Sequence, residues 1–362
     1  MLFSILPRYI SRNFLYNFSF LLFLLLFIVY IFDFVEILNR GADHNAALSD
    51  MLKLGLFKLP LVGQIILPFA VLFSAMFTFW RLNKTSELAV MRAVGTSAVQ
   101  FTIPMIFAAL CLGIFATTVI NPVSALLLKK YEVQQNNVFE KTSKLVSLSE
   151  NGLWLRQEAG KGYALLNTRD LNPKTWMTGD MVIFEFDNDN NLLRRIQADQ
   201  AVLKDGHWTL VTVEIFSGRP RPMTLPEYDY PTPLTPQDIT DSFSTVEVIS
   251  FWKVRHMIKT LKATGFSTER LEVYYHSLLA KPFFFAAMVL LAAAVSLRHA
   301  RQGGTSFFVL TGVFVGFLIF FSDSVLQAFG ISQRIPVFLA AWTPTLVSLL
   351  LGMSILLKLE DG

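Results

Sequence analysis

Three cations stand where the phosphates of an amphiphile could be held. Arg40 follows the first long apolar run of the chain, and Lys129 and Lys130 follow the third. If those runs are neighbouring membrane helices, the cations ring the outer mouth of a cavity walled by Phe and Leu. Phosphate or carboxylate groups would bind there, with acyl chains lying along the walls. Ordinary interfacial Lys and Arg, reaching out from helix ends, give the same pattern.

Other chemistry has few footholds. No G-x-x-x-x-G-K-[ST] loop occurs, and Gly160-Lys161-Gly162 lacks both the upstream glycine and the hydroxyl residue. The five histidines never fall at H-E-x-x-H spacing, and Cys111 is the single cysteine, so neither a metal site nor a disulfide framework is expected. No G-x-S-x-G nucleophile motif appears. Asp33 and Asp323 lie near the ends of apolar runs, where boundary carboxylates are common. Catalytic residues and cofactors are therefore not expected.

One short stretch does stand out. Asn83 to Gly95 lies between two apolar segments and itself reads as a helix of about three turns. Thr85 and Ser86 are good N-cap types, Glu87 suits the positive helix N-terminus, and Gly95 suits a C′ stop. Leu88, Met91 and Val94 form an apolar stripe, while Glu87 and Arg92 are nearly the only polar groups. A helix this short and this apolar is marginal alone in water. It either lies on a membrane surface or docks in a groove of another protein.

These features belong to a chain of 362 residues that is 53% hydrophobic and 16% charged, with 34 Phe. That is the composition of a multi-pass membrane protein, and a net charge of +4 does not suggest nucleic acid as a partner. Apolar runs of spanning length cover Phe14 to Ile37, Leu54 to Leu82, Ala98 to Asn121, Tyr275 to Leu297, Thr305 to Ala328 and Ile335 to Leu357. Asn121-Pro122 is expected to break the third. The first is too long for a signal peptide and is expected to be retained. Arg8, Arg12, Arg81, Lys84, Arg92, Arg298, Arg301 and Lys358 fall on one side, which would be cytoplasmic. Both termini are then cytoplasmic, and the long segment from Pro122 to Phe266 lies outside.

Within that segment, Leu126 to Asn137 reads as a helical stalk. Alternating runs follow at Gly152–Arg156, Tyr163–Asn167, Asp180–Phe186, Leu192–Asp199, Ala201–Leu203 and Trp208–Phe216. Turn chemistry separates them at Asp187 to Asn190 and at Asp205-Gly206. This spacing predicts a β-sandwich or a curved open roll. Ile249 to Thr264 then reads as an amphipathic helix stopped by Gly265. The fold class is a polytopic α-helical membrane protein, three spans plus three, with an inserted all-β domain. The expected boundaries are 1–121 for the first three spans, with the connecting helix at 85–95, 122–266 for the exported domain and 267–362 for the last three spans.

Ser86-Glu87-Leu88-Ala89-Val90-Met91-Arg92-Ala93-Val94-Gly95, set in that architecture, resembles the coupling helix of the LptF/LptG permeases. Members of that family extract lipopolysaccharide from the bacterial inner membrane. The likeness covers the whole chain, including a periplasmic β-jellyroll between two sets of three spans. The wording of this helix, and of Leu339 to Pro344 and Leu357 to Gly362, is nearer the LptG branch than the LptF branch. The resemblance implies a transport subunit rather than an enzyme. It implies an LptF-like partner permease, an LptB-like ATPase dimer that hydrolyses the ATP, and an LptC-like single-span protein. It also implies that Ser86, Glu87, Leu88, Met91 and Arg92 couple to the ATPase, that the first and fifth spans form lateral gates, and that Arg40, Lys129 and Lys130 meet lipopolysaccharide. The sequence departs from the family pattern at Asp33 to Arg40, where Arg40 alone is basic, and at Glu132, where another cation would be expected. A mechanotransmission subunit, which rearranges its exported domain without carrying lipid, would share much of this architecture. A β scaffold without an ATPase would leave the Ser86–Gly95 helix unexplained.

Overall fold

The computed structural model describes residues 2–42, 47–139, 146–149, 152–159, 162–168, 171–172, 175–187, 189–204, 206–217, 221–233, 235, 246–263, 267–299 and 305–360. Gly160-Lys161, the turn residues Asn188 and Asp205, the helix stop Gly265, and Arg301 with Gly303-Gly304 lie outside them.

The long apolar runs fold as helices α1 (Leu2–Ala42), α2 (Leu48–Lys84), α4 (Ala98–Phe115), α7 (Glu269–His299), α8 (Thr305–Ile331) and α9 (Val337–Glu360). A short helix α3 (Glu87–Ala93) links α2 to α4. Among the described residues six helical spans are long and apolar enough to cross a membrane. The chain forms two compact units, one of residues 1–139, 247–255 and 269–362, the other of residues 140–246 and 256–268.

Asn121-Pro122 does not break the third span. The helix passes through a π-helical turn at Ala116–Ile120 and continues as α5 (Asn121–Phe139), so the expected stalk is its extension. Proline removes one N–H and cannot serve the carbonyl four residues back. Here that carbonyl, on Thr118, accepts the indole Nε1 of Trp252 at 3.3 Å. Trp252 is the second residue of α6 (Phe251–Ala263), the expected amphipathic helix.

Within the helical unit α7 is the central element. From Phe285 to Ala294 every side chain is buried, five of them alanines. Small residues let neighbouring helices approach closely where lipid gives no hydrophobic drive for association. At Gly113 of α4 a Cβ would collide with the backbone of Pro282. By contrast α1 and α8 are the least buried spans. Tyr16, Phe20, Phe23 and Phe27 line an exposed face of α1, and Leu310, Phe314, Phe317 and Phe321 one of α8. Both sets follow the 4-3-4 spacing of a single helical stripe.

The second unit holds seven described strands: β1 (Val146–Ser149), β2 (Gly152–Ala159), β3 (Gly162–Thr168), β4 (Met177–Asp187), β5 (Leu192–Lys204), β6 (His207–Phe216) and β7 (Met223–Pro231). They form one antiparallel sheet in sequential order. The two runs expected at Leu192–Asp199 and Ala201–Leu203 are the single strand β5, and β1 and β7 are additional to those expected. β7 carries Pro226 and Pro231, which suit an edge strand. In a flat sheet β2 and β7 would stand about 24 Å apart, at 4.8 Å per strand. Instead the buried Gln157 of β2 donates through Nε2 to the Pro231 carbonyl at 2.9 Å and accepts from Thr232 Oγ1 at 2.6 Å. The sheet is therefore curled, and its inner face buries Leu155, Leu166, Ile183, Ile196, Trp208 and Leu210.

Candidate coupling helix and cation sites

α3 is two turns long rather than three. Ser86 does not cap it through its hydroxyl, because the sharp reversal out of α2 holds Ser86 at φ 60 with no side-chain cap bond. Left-handed backbone costs a non-glycine residue roughly 1–2 kcal/mol, so this reversal is held by its surroundings. Thr85 supplies part of the hold: its Oγ1 lies 2.8 Å from Glu87 Oε1 and 3.1 Å from the Arg81 carbonyl. The far end follows the sequence reading. Gly95 sits at φ +86, its N–H bonds the Arg92 carbonyl at 2.9 Å, and the Thr96 N–H bonds the Met91 carbonyl at 3.1 Å. This is a Schellman stop with glycine at C′. Ser97 and Gln100 then form a capping box that starts α4.

The stripe of α3 divides. Leu88 and Met91 are 4% and 9% exposed and share an apolar cluster with Phe79, Leu82 and Ala98. Val90 and Val94 are 63% and 75% exposed. Ser86 and Arg92 are exposed beside them, and Glu87 is partly so. Arg81 and Lys84, the latter stacked over Trp80 at 5.0 Å, extend the basic surround. Leu88 and Met91 thus fix the helix to the bundle, while Val94, expected in one stripe with them, turns outward and makes the exposed face with Val90, which sequence reasoning did not single out.

At the other end of α1, Arg40 is not a free cation: it pairs with Glu36 one turn earlier. Asp33 is likewise more than a boundary carboxylate. It accepts from Lys58 Nζ of α2 at 3.0 Å, a pair that sequence reasoning missed because the partners are 25 residues apart on different helices. Arg40, Glu36, Asp33 and Lys58 all act electrostatically on Tyr131 of α5, the neighbour of Lys130. Lys129 and Lys130 are themselves exposed. The structure thus gathers Arg40 and the α5 cations at one end of the bundle, among acidic partners as well as basic ones. Among the described residues no group of three or more His, Cys, Asp or Glu is placed to hold a metal ion.

Comparison with known proteins bears on this arrangement. A family model described as "Lipopolysaccharide export system permease LptF/LptG" matches residues 8–358. The chain is 24% identical to the lipopolysaccharide export system permease protein LptG of Escherichia coli strain K12, over 98% of this chain and 99% of that protein. It is 24% identical to the protein of the same name from Haemophilus influenzae, over 81% of this chain and 82% of that protein.

Proposed function

Because the chain belongs to the LptF/LptG family of lipopolysaccharide export permeases, we propose that it is an LptG-like subunit that converts ATP hydrolysis in a separate LptB-like ATPase dimer into extraction of lipopolysaccharide from the inner membrane. Its six spans would place both termini in the cytoplasm and the β unit in the periplasm, with Arg8, Arg12, Arg81, Lys84, Arg92 and Lys358 on the cytoplasmic side. In domain terms, 1–121 and 267–362 are the membrane parts and 122–266 the exported part.

The observation that carries this reading is the two-sided burial of α3. Val90 and Val94 face outward with Ser86, Glu87 and Arg92 around them, while Leu88 and Met91 are locked into the bundle. An ATPase that grips the outward face moves the bundle through the inward one. The outward pair and the charged rim dock; Leu88 and Met91 transmit. Motion of α3 would carry α2 and α4 and narrow a chamber shared with an LptF-like partner. The bare aromatic stripes of α1 and α8 suit lateral gates, one lipid entry at each. Arg40, Lys129 and Lys130 would hold phosphates while the acyl chains leave the bilayer. At about 0.8 kcal/mol per buried methylene, several acyl chains make unassisted release prohibitively costly. An LptC-like single-span protein would receive the lipid with the β unit.

Co-purification in detergent with candidate subunits, followed by ATPase assays with and without lipopolysaccharide, tests this. A stable complex whose ATPase responds to lipopolysaccharide is expected. A stable complex with an ATPase indifferent to the lipid would overturn the extraction role, and no ATPase at all would overturn the coupling role of α3.

A further inference from the structure

The helical unit contains a polar network that neither α3 nor the Arg40 region uses. Asn121, placed by the π-turn, donates through Nδ2 to Gln64 Oε1 at 3.2 Å and to Tyr274 Oη at 2.7 Å, and its Oδ1 accepts the Phe251 N–H at 2.8 Å. Lys281 Nζ reaches the same Gln64 oxygen at 3.4 Å. Of these groups Gln64, Tyr274 and Lys281 open on a cavity of about 280 Å³, walled on the apolar side by Phe69, Phe284 and Phe320. Asp323 and Glu247 also line it, and Asp323 is held by Gln327 Nε2 at 2.8 Å.

Two features show that the network is incomplete within the chain. Lys281 and Asp323 act on each other electrostatically, yet no ion pair joins them among the described residues. Ser277 Oγ, one helical turn before Lys281 and lining the same cavity, is buried without a hydrogen-bond partner. Half-buried charges at a membrane span are costly unless paired, and buried hydroxyls are normally satisfied. A group bridging the ammonium and the carboxylates would complete all three.

We propose that the cavity binds the phosphoethanolamine headgroup of a lipid, with its phosphate at Lys281 and Ser277 and its ammonium at Asp323 and Glu247. One ammonium and two carboxylates suit a zwitterion better than a doubly phosphorylated glycolipid. The aromatic wall suits an acyl chain, and the volume suits one headgroup rather than a multi-chain lipid. The proposal does not rest on the ATPase reading.

Native mass spectrometry of the full chain in detergent, supplied with equal amounts of phosphatidylethanolamine, phosphatidylglycerol and phosphatidylcholine, tests it. Retention of phosphatidylethanolamine over the other two by roughly tenfold is expected, the worth of one charge-assisted contact. Lys281→Met and Asp323→Asn should each abolish that preference. Ser277→Ala, which keeps every charge, should weaken it without lowering the melting temperature. Equal retention of the three lipids, or a preference unchanged in both charge variants, would mean a solvent-filled network and overturn the proposal. Displacement by soluble glycerophosphoethanolamine at equal concentration would overturn the assignment to a lipid.

Discussion

The indole nitrogen of Trp252 donates to the carbonyl of Thr118 at 3.3 Å, and that carbonyl is the one an N–H at position 122 would serve in an α-helix. Pro122 has no such N–H, so a side chain 134 residues from Thr118 in sequence fills its place. Trp252→Phe should lower stability by about 1 kcal/mol, the net worth of such a bond. In a Pro122→Ala background the same change should cost markedly less, because an N–H is then available. Thermal unfolding of the four proteins of this cycle in detergent measures the difference; equal costs in both backgrounds would show the two sites to be unlinked.

The divided stripe of α3 gives a contrast between neighbours. Val90→Asp should leave the melting temperature within the range of a surface change, about 0.5 kcal/mol, and abolish co-purification of an ATPase. Leu88→Ala should instead cost about 2–4 kcal/mol, since it opens a cavity in the cluster shared with Phe79 and Leu82. Melting and pull-down measured on both variants separate the roles.

Lys58 and Asp33 make a testable pair because their side chains are only 30% and 18% exposed. Lys58→Met alone leaves an unpaired carboxylate and should cost about 2 kcal/mol, the usual buried-pair penalty discounted for this exposure. Lys58→Met combined with Asp33→Leu should recover most of the loss. Denaturation in detergent reads this directly, and a double variant no better than the single would remove the pair from the account of α1–α2 packing.

The β unit should be sensitive to alkali. Burial, and then Glu185 beside it, pushes the Tyr230 phenol above its ordinary value of 10.0. The fold therefore favours the neutral phenol. Its contribution is complete below the unfolded value and is lost as pH rises from about 10 toward the raised folded value. Circular dichroism of the β signal between pH 9 and 12 should show a loss that Tyr230→Phe largely removes.

Sequence alone was enough for the broad plan, for reasons of length and period. Runs of about 24 apolar residues can be little other than spans, and two-residue alternation marks half-buried strands. Both signals are local, as is Gly95 at its C′ stop. β1 and β7 escaped because one has four residues and the other carries two prolines. Asn121-Pro122 reads locally as a stop; only Trp252, brought from a distant helix, shows why the helix continues. Tertiary structure likewise decided which apolar residues of α3 face inward, since Leu88 and Val90 are alike in hydrophobicity and only the position of Phe79, Leu82 and Ala98 distinguishes them. It also paired Lys58 with Asp33, curled β2 onto the end of β7, and gathered Gln64, Ser277, Lys281 and Asp323 around one cavity. Those partners stand on different helices or distant strands, and the spacing of residues along one chain carries no record of which helices become neighbours.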